Sequence, residues 1–244
     1  MCGRYTLADP SRAFSEFSIL EKAPSLDPRY NIAPAQLVSV IRIVPPERER
    51  RVDRLRWGLV PPWASDTARR ARGEAQSSTG FINARVESVA TKPAFARAFR
   101  ERRCIFVADG FYEWKRVDRR KIPHFIRRPD GGPFAIAGLW EPRAAALGHD
   151  ADGCALITRP SLPPVDSLHD RMPVVLDPRD VETWLDPEVR DVTRLRQVLA
   201  RGDDVELVLS AVGPRVNSPA NDDPGCIAPL SDAELGRNEQ RRLF

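Results

Sequence analysis

From Cys104 to Leu176 the chain carries one short apolar run after another: "CIFVADGFYEWK", "HFIRR", "FAIAGLW", "GCALIT" and "MPVVL". Runs of this length, rich in β-branched and aromatic residues and separated by turn formers, predict strands. "VDRRKIP" and "RPDGG" punctuate the earlier ones, and "AAALGHDADG" supplies a looser turn. Strands and helical patterns do not alternate here, so βαβ units are not indicated. The fold class predicted is α+β, with a mainly antiparallel, barrel-like sheet and peripheral helices.

The flanking segments fill in this frame. "QLVSVIRI" and "VDRLRWGLV" read as two strands joined by the polar turn "PPERER", and "VELVLS" as a late strand. "SRAFSEF", with Asp9 as its cap, reads as a short helix. "KPAFARAFRERR" places Phe95, Ala98 and Phe99 at helical spacing, and "RDVETWL" and "DVTRLRQVLA" are also helical in pattern. "ASDTARRARGEAQSSTG" lacks periodicity and predicts a long surface loop. "GPRVNSPANDDPG" is a further loop. The expected organisation is one domain over residues 1–230, followed at 231–244 by a short helix or tail.

Composition narrows the functional classes. Hydrophobic residues make up 42% of the 244 and charged residues 30%, enough apolar material for a real core. No apolar run approaches the ~20 residues that span a bilayer, and no export signal precedes Cys2, so a cytoplasmic protein without membrane contact is expected. The 4 cysteines form no CxxC pair. Cys104 and Cys154 sit in strand-like runs as core residues, and a disulfide is not expected in a reducing compartment. Three scattered histidines without HxH or HxxxH make no metal site. Net charge is +4, with a sequence pI near 9.1. The excess is carried almost entirely by arginine, whose guanidinium forks suit phosphate.

Four stretches hold polar residues that a purely structural account strains to explain. In "MCGRYT", loss of Met1 would give Cys2 a free amine and a thiol on adjacent carbons. In "FINARVES", Asn83 and Arg85 fall on one side of an extended segment. In "ADGFYEWK", Glu113 lies between two aromatics, and in "SLHDRMPVVL" His169, Asp170 and Arg171 adjoin an apolar run. Taken singly, each has an ordinary alternative: a solvent-facing Glu113, a satisfied core His169, a turn-capping Asn83, surface arginines.

Together, "MCGRYT", "RYNIAPAQ", "RWGLVPPWA", "INARVES", "ADGFYEW", "HDRMPVVL" and "VNSPANDDP" resemble the SRAP (SOS response-associated peptidase) family, in order, from residue 1 to about Pro229. Val107 stands where family members often carry proline, and Arg159 and Pro160 where smaller residues are usual. The loop after Trp63 is long.

The resemblance implies a covalent trap for abasic sites in single-stranded DNA, with associated lyase chemistry and cross-link reversal. The Cys2 amine would condense with the sugar aldehyde, and the thiol would then close a five-membered thiazolidine. An α-amine near 7.7–8.0 keeps a useful neutral fraction at pH 7, where a lysine near 10.4 does not. The resemblance gives Asn83 an orienting role, Glu113 and His169 proton transfer, and Arg4, Arg85, Thr158 and Arg171 contacts to DNA. Pro34 and Trp63 would be apolar surfaces for bases. It implies no metal and no cofactor, abasic single-stranded DNA as partner, and a monomer. Two alternatives stay open: a cysteine-nucleophile peptidase limited to self-processing, and a non-catalytic DNA-binding module.

Overall fold

The computed structural model describes residues 2–17, 26–61, 63, 80–118, 120–142 and 151–231. The strands are β1 (Tyr5–Leu7), β2 (Arg29–Ile32), β3 (Leu37–Arg42), β4 (Arg51–Trp57), β5 (Asn83–Arg85), β6 (Arg103–Ala108), β7 (Gly110–Val117), β8 (Arg120–Arg127), β9 (Phe134–Glu141), β10 (Gly153–Pro160), β11 (Arg171–Pro173) and β12 (Val208–Ala211). The α-helices are α1 (Pro10–Glu16), α2 (Ala96–Glu101), α3 (Val181–Leu185) and α4 (Val192–Ala200). Asp9 caps α1 as expected, accepting the Arg12 N–H at 3.0 Å.

The strands form two sheets. One runs β12-β8-β7-β1-β2, and the other runs β11-β10-β4-β3-β6-β9 with β5 beside β10. In the second sheet β9 also pairs with β10, so β10, β4, β3, β6 and β9 form a closed ring of pairings. Closure removes the free edges those strands would otherwise present. The β10–β4 and β10–β5 ladders are parallel and the rest antiparallel, in line with the predicted α+β class.

The run "CIFVADGFYEWK" is two strands, not one. It breaks at Asp109, where the chain leaves the ring (β6) and enters the other sheet (β7). The Asp109 carboxylate holds this corner by accepting from the Thr6 hydroxyl and from the Ala8 and Asp9 N–H groups. Gly110 follows because a Cβ there would come within 2.2 Å of the Phe125 ring. "VDRRKIP" is less of a break than its charges suggest: Arg120–Pro123 already belong to β8. The tail at 232–244, most of the loop after Trp63 and residues 143–150 of the looser turn lie outside the described residues.

The two sheets share a core. Tyr5 of β1 meets Trp57 of β4 at 5.5 Å between ring centroids and Phe106 of β6 at 6.1 Å, both edge-on. All three rings are buried. Each burial is worth about 1.5–3 kcal/mol, with roughly 0.5–1.5 more per edge-on pair. This cluster fixes the strand that follows Cys2. Cys104 and Cys154 are fully buried and unbridged, as predicted. Among the described residues, no helix is long and apolar enough to cross a membrane.

Candidate active site

Cys2 lies just ahead of β1, and its place is set from two sides. The Tyr112 N–H donates to the Arg4 carbonyl at 3.0 Å, laying β1 along β7 and bringing Cys2 toward Glu113. From the other side, Asn83 Nδ2 donates to the Cys2 carbonyl at 2.9 Å. Asn83 can reach because β5 is held in register on β10, with Asn83 opposite Leu156. The preceding residue is pinned by Trp57 Nε1, which donates to the Ile82 carbonyl at 2.9 Å. Asn83 Oδ1 is buried and has no hydrogen-bond partner among the described residues.

The electrostatics join the same groups. The Cys2 side chain is fully buried, and burial, then the Glu113 carboxylate, push its thiol above the ordinary range. Glu113 is itself 2% exposed. Loss of water raises it to about 7, and Asp170 acts in the same direction. His169 is pulled below its ordinary value, chiefly by burial, with Asp170 opposing. The His169 ring is therefore neutral at pH 7. Its Nδ1 accepts the Arg171 N–H at 3.0 Å and also lies 2.9 Å from Asp170 Oδ1. The first contact needs a lone pair on Nδ1 and the second a proton, so the two exclude each other and the tautomer selects between them.

Glu113 and His169 line one cavity of about 440 Å³, with Trp114, Arg116, Lys121, Leu168 and Asn217. A larger cavity of about 630 Å³ is bounded by the β3–β4 turn and the α3–α4 connection. It contains none of the candidate residues, and the titratable groups near Cys2 lie elsewhere. The smaller cavity brings Glu113 and His169 together, while Cys2 and Asn83 are not among its lining residues.

The predicted DNA-contact residues divide into two groups. Arg85 and Trp63 are exposed, Trp63 by 55%, and Pro34 is half-buried in the turn before β3. The others are engaged internally. Arg4 donates to Asn31 Oδ1 at 2.7 Å and to the Val216 carbonyl at 2.8 Å, and lies over the Trp114 ring. Arg171 forms a two-pronged pair with Glu87 and donates to the Thr158 carbonyl at 2.7 Å. Thr158 is 2% exposed. A phosphate at Arg171 would have to compete with Glu87, whose carboxyl that pair holds below its ordinary value.

The structure adds residues that the sequence reading passed over. Asn31 is fully buried and donates through Nδ2 to the Val216, Ser218 and Asn221 carbonyls, while Oδ1 takes Arg4. The Asp222 carboxylate accepts from Arg29 and from the Tyr30 and Asn31 N–H groups. "RYNIAPAQ" and "VNSPANDDP" are thus two halves of one clasp beneath Arg4. Their signal was an excess of Asn and Asp in short turns, which sequence alone cannot pair.

The profile described as SOS response associated peptidase (SRAP) matches residues 1–219. The chain is 36% identical to the abasic site processing protein YoqW of Bacillus subtilis, covering 93% of this chain and 99% of that protein. It is 37% identical to YoaM of the same organism, described likewise, covering 96% and 99%. A solved structure from Bacteroides thetaiotaomicron shares the fold, with TM-score 0.72 and 21% identity, covering 94% of this chain and 100% of that one. By sequence and by fold, the chain belongs to the SOS response associated peptidase (SRAP) family.

Proposed function

We propose that this protein processes abasic sites in DNA, capturing them in single strands as a thiazolidine at Cys2 after Met1 is removed. The observation that carries this reading is the meeting of three strands at one residue. Cys2 is held through its carbonyl by Asn83, next to a buried carboxyl at Glu113 that titrates near 7.

The chemistry follows from these groups. The neutral Cys2 amine attacks the aldehyde of the ring-opened sugar, and one water leaves as the imine forms. The thiol then adds across the C=N bond, its proton passing to nitrogen, so nothing further is lost. Glu113, half-ionised near pH 7, gives a proton to the departing hydroxyl and takes one back on reversal. His169, held below its ordinary value by burial, assists opening of the sugar ring. At the imine stage, removal of a C2′ proton would expel the 3′ phosphate, the lyase branch. The Asn83 amide orients the reacting atoms, and Arg85 contacts phosphate from the exposed end of β5.

A peptidase acting on other chains fits less well. A cysteine nucleophile needs a thiol lowered toward thiolate, whereas burial and Glu113 push Cys2 the other way. Amine-first chemistry needs no such thiolate.

Intact mass spectrometry, with and without an abasic single-stranded oligonucleotide, tests the proposal. The expected product is the chain without Met1 plus the oligonucleotide, less one water. An unmodified Cys2 under these conditions overturns it.

A further inference from the structure

The β7–β8 hairpin departs from the charge pattern of the rest of the molecule. Residues 115–121 read "KRVDRRK", five basic and one acidic. Arg116 and Lys121 stand directly opposite each other across the hairpin, a like-charge pairing that destabilises a sheet. Several arginines elsewhere are matched with acids, as in Arg128–Asp130, Arg171–Glu87 and Arg215–Asp223. Among the described residues, no carboxylate forms an ion pair with Arg116 or Lys121, and both are exposed. Yet both line the cavity that holds Glu113 and His169.

Asn217 adds a neutral donor to the same cavity. Asn217 Oδ1 accepts the Trp114 indole N–H at 2.8 Å, which fixes the amide and leaves its NH₂ group available to the cavity. Arg116 lies three residues along β7 from Glu113, roughly 10 Å at strand rise. That distance suits the phosphates beside a sugar held at Glu113 rather than the sugar itself.

We infer that Arg116, Lys121 and Asn217 form a phosphate-binding shelf on the hairpin side of the cavity. It would grip the strand on one side of the captured nucleotide, and Arg85 would lie along the other. This rests on the proposed function for the identity of the polyanion, a single DNA strand, but its test does not depend on the covalent step. The two cations are held together against their repulsion because a phosphodiester between them relieves it.

The experiment is a salt titration of binding to an undamaged single-stranded oligonucleotide, followed by fluorescence anisotropy. It compares wild type with R116Q/K121Q and with R194Q/R196Q, a charge-matched control on exposed α4 positions. R116Q/K121Q should lower the salt slope of log K by about 1.4, two contacts at roughly 0.7 each. The control should leave the slope unaltered. An unchanged slope in R116Q/K121Q overturns the shelf, as does an equal fall in both variants, which would reflect net charge alone. A wild-type chain that binds but forms no adduct with an abasic strand refutes the covalent proposal and leaves the shelf standing.

Discussion

The Cys2 carbonyl accepts a hydrogen bond from Asn83 at 2.9 Å, although 81 positions separate the two residues. The contact turns a chain end, ordinarily the least ordered part of a protein, into a fixed point. Asn83→Ala should slow single-turnover adduct formation on the order of 10- to 100-fold, the usual cost of losing orientation. Its stability loss should be about 1 kcal/mol. A rate within twofold of wild type, read on denaturing gels, would remove Asn83 from the reaction.

Cys2→Ser should give no heat-stable adduct, since an oxazolidine is less stable than a thiazolidine. Cys2→Ala should behave similarly while retaining slow strand cleavage through the remaining amine. Both should stay folded, because the strand behind Cys2 is anchored by Tyr5 rather than by the thiol. A Cys2→Ala protein that still forms boiling-resistant adducts would sink the mechanism.

Glu113 links pH to stability with an unusual sign. Its carboxyl rises from 4.5 to about 7 on folding. Below pH 4.5 both states are protonated and the group has no effect. Between 4.5 and 7 the unfolded chain releases the proton and the folded chain keeps it, so stability falls as pH rises. Above 7 the deficit is constant, on the order of 3 kcal/mol. Glu113→Gln should therefore remove most of a decline in Tm between pH 4.5 and 8. It should also abolish an inflection near pH 7 in the adduct rate. Parallel Tm–pH curves for the two proteins would show that Glu113 does not titrate there.

Arg171 and Arg85 should separate cleanly. Arg171→Ala loses the Glu87 pair and the bond to Thr158, and should cost about 1–3 kcal/mol with little effect on the salt slope. Arg85→Ala should leave Tm unchanged and lower the slope by about 0.7. The reverse pattern would make Arg171 the phosphate ligand and Arg85 the structural residue.

Asn31→Ala should be among the most damaging substitutions. It removes one donor from each of the Val216, Ser218 and Asn221 carbonyls and the acceptor for Arg4. Each lost hydrogen bond costs about 0.5–1.5 kcal/mol. Thermal unfolding should show a loss of several kcal/mol, and a drop below 1 would mean that water fills the clasp.

The long central strands were legible because their apolar runs repeat at strand length between turn formers, and helices α1 to α4 because caps or apolar spacing marked them. β1 and β2 were not, since three or four residues carry no period. The corner at Asp109 was hidden because the apolar pattern runs straight through it, and only tertiary contacts from Thr6, Ala8 and Asp9 end the strand. Within the site, Cys2, Asn83, Glu113 and His169 stood out as polar groups out of place. The internal engagement of Arg4, Thr158 and Arg171 did not, because an arginine in sequence looks the same whether it faces a phosphate or a carbonyl. The larger share of what positions the site, Asn31 and Asp222 above all, lies in pairings between distant turns.

Arg4 closes its bond to Val216 over a separation of 212 residues. During synthesis at 5–20 residues per second, roughly 10–40 s pass between the appearance of one partner and the other. Through that interval the segment carrying Cys2 has no clasp to dock into. The clasp beneath Arg4 therefore closes only after the last strand, β12, has been made.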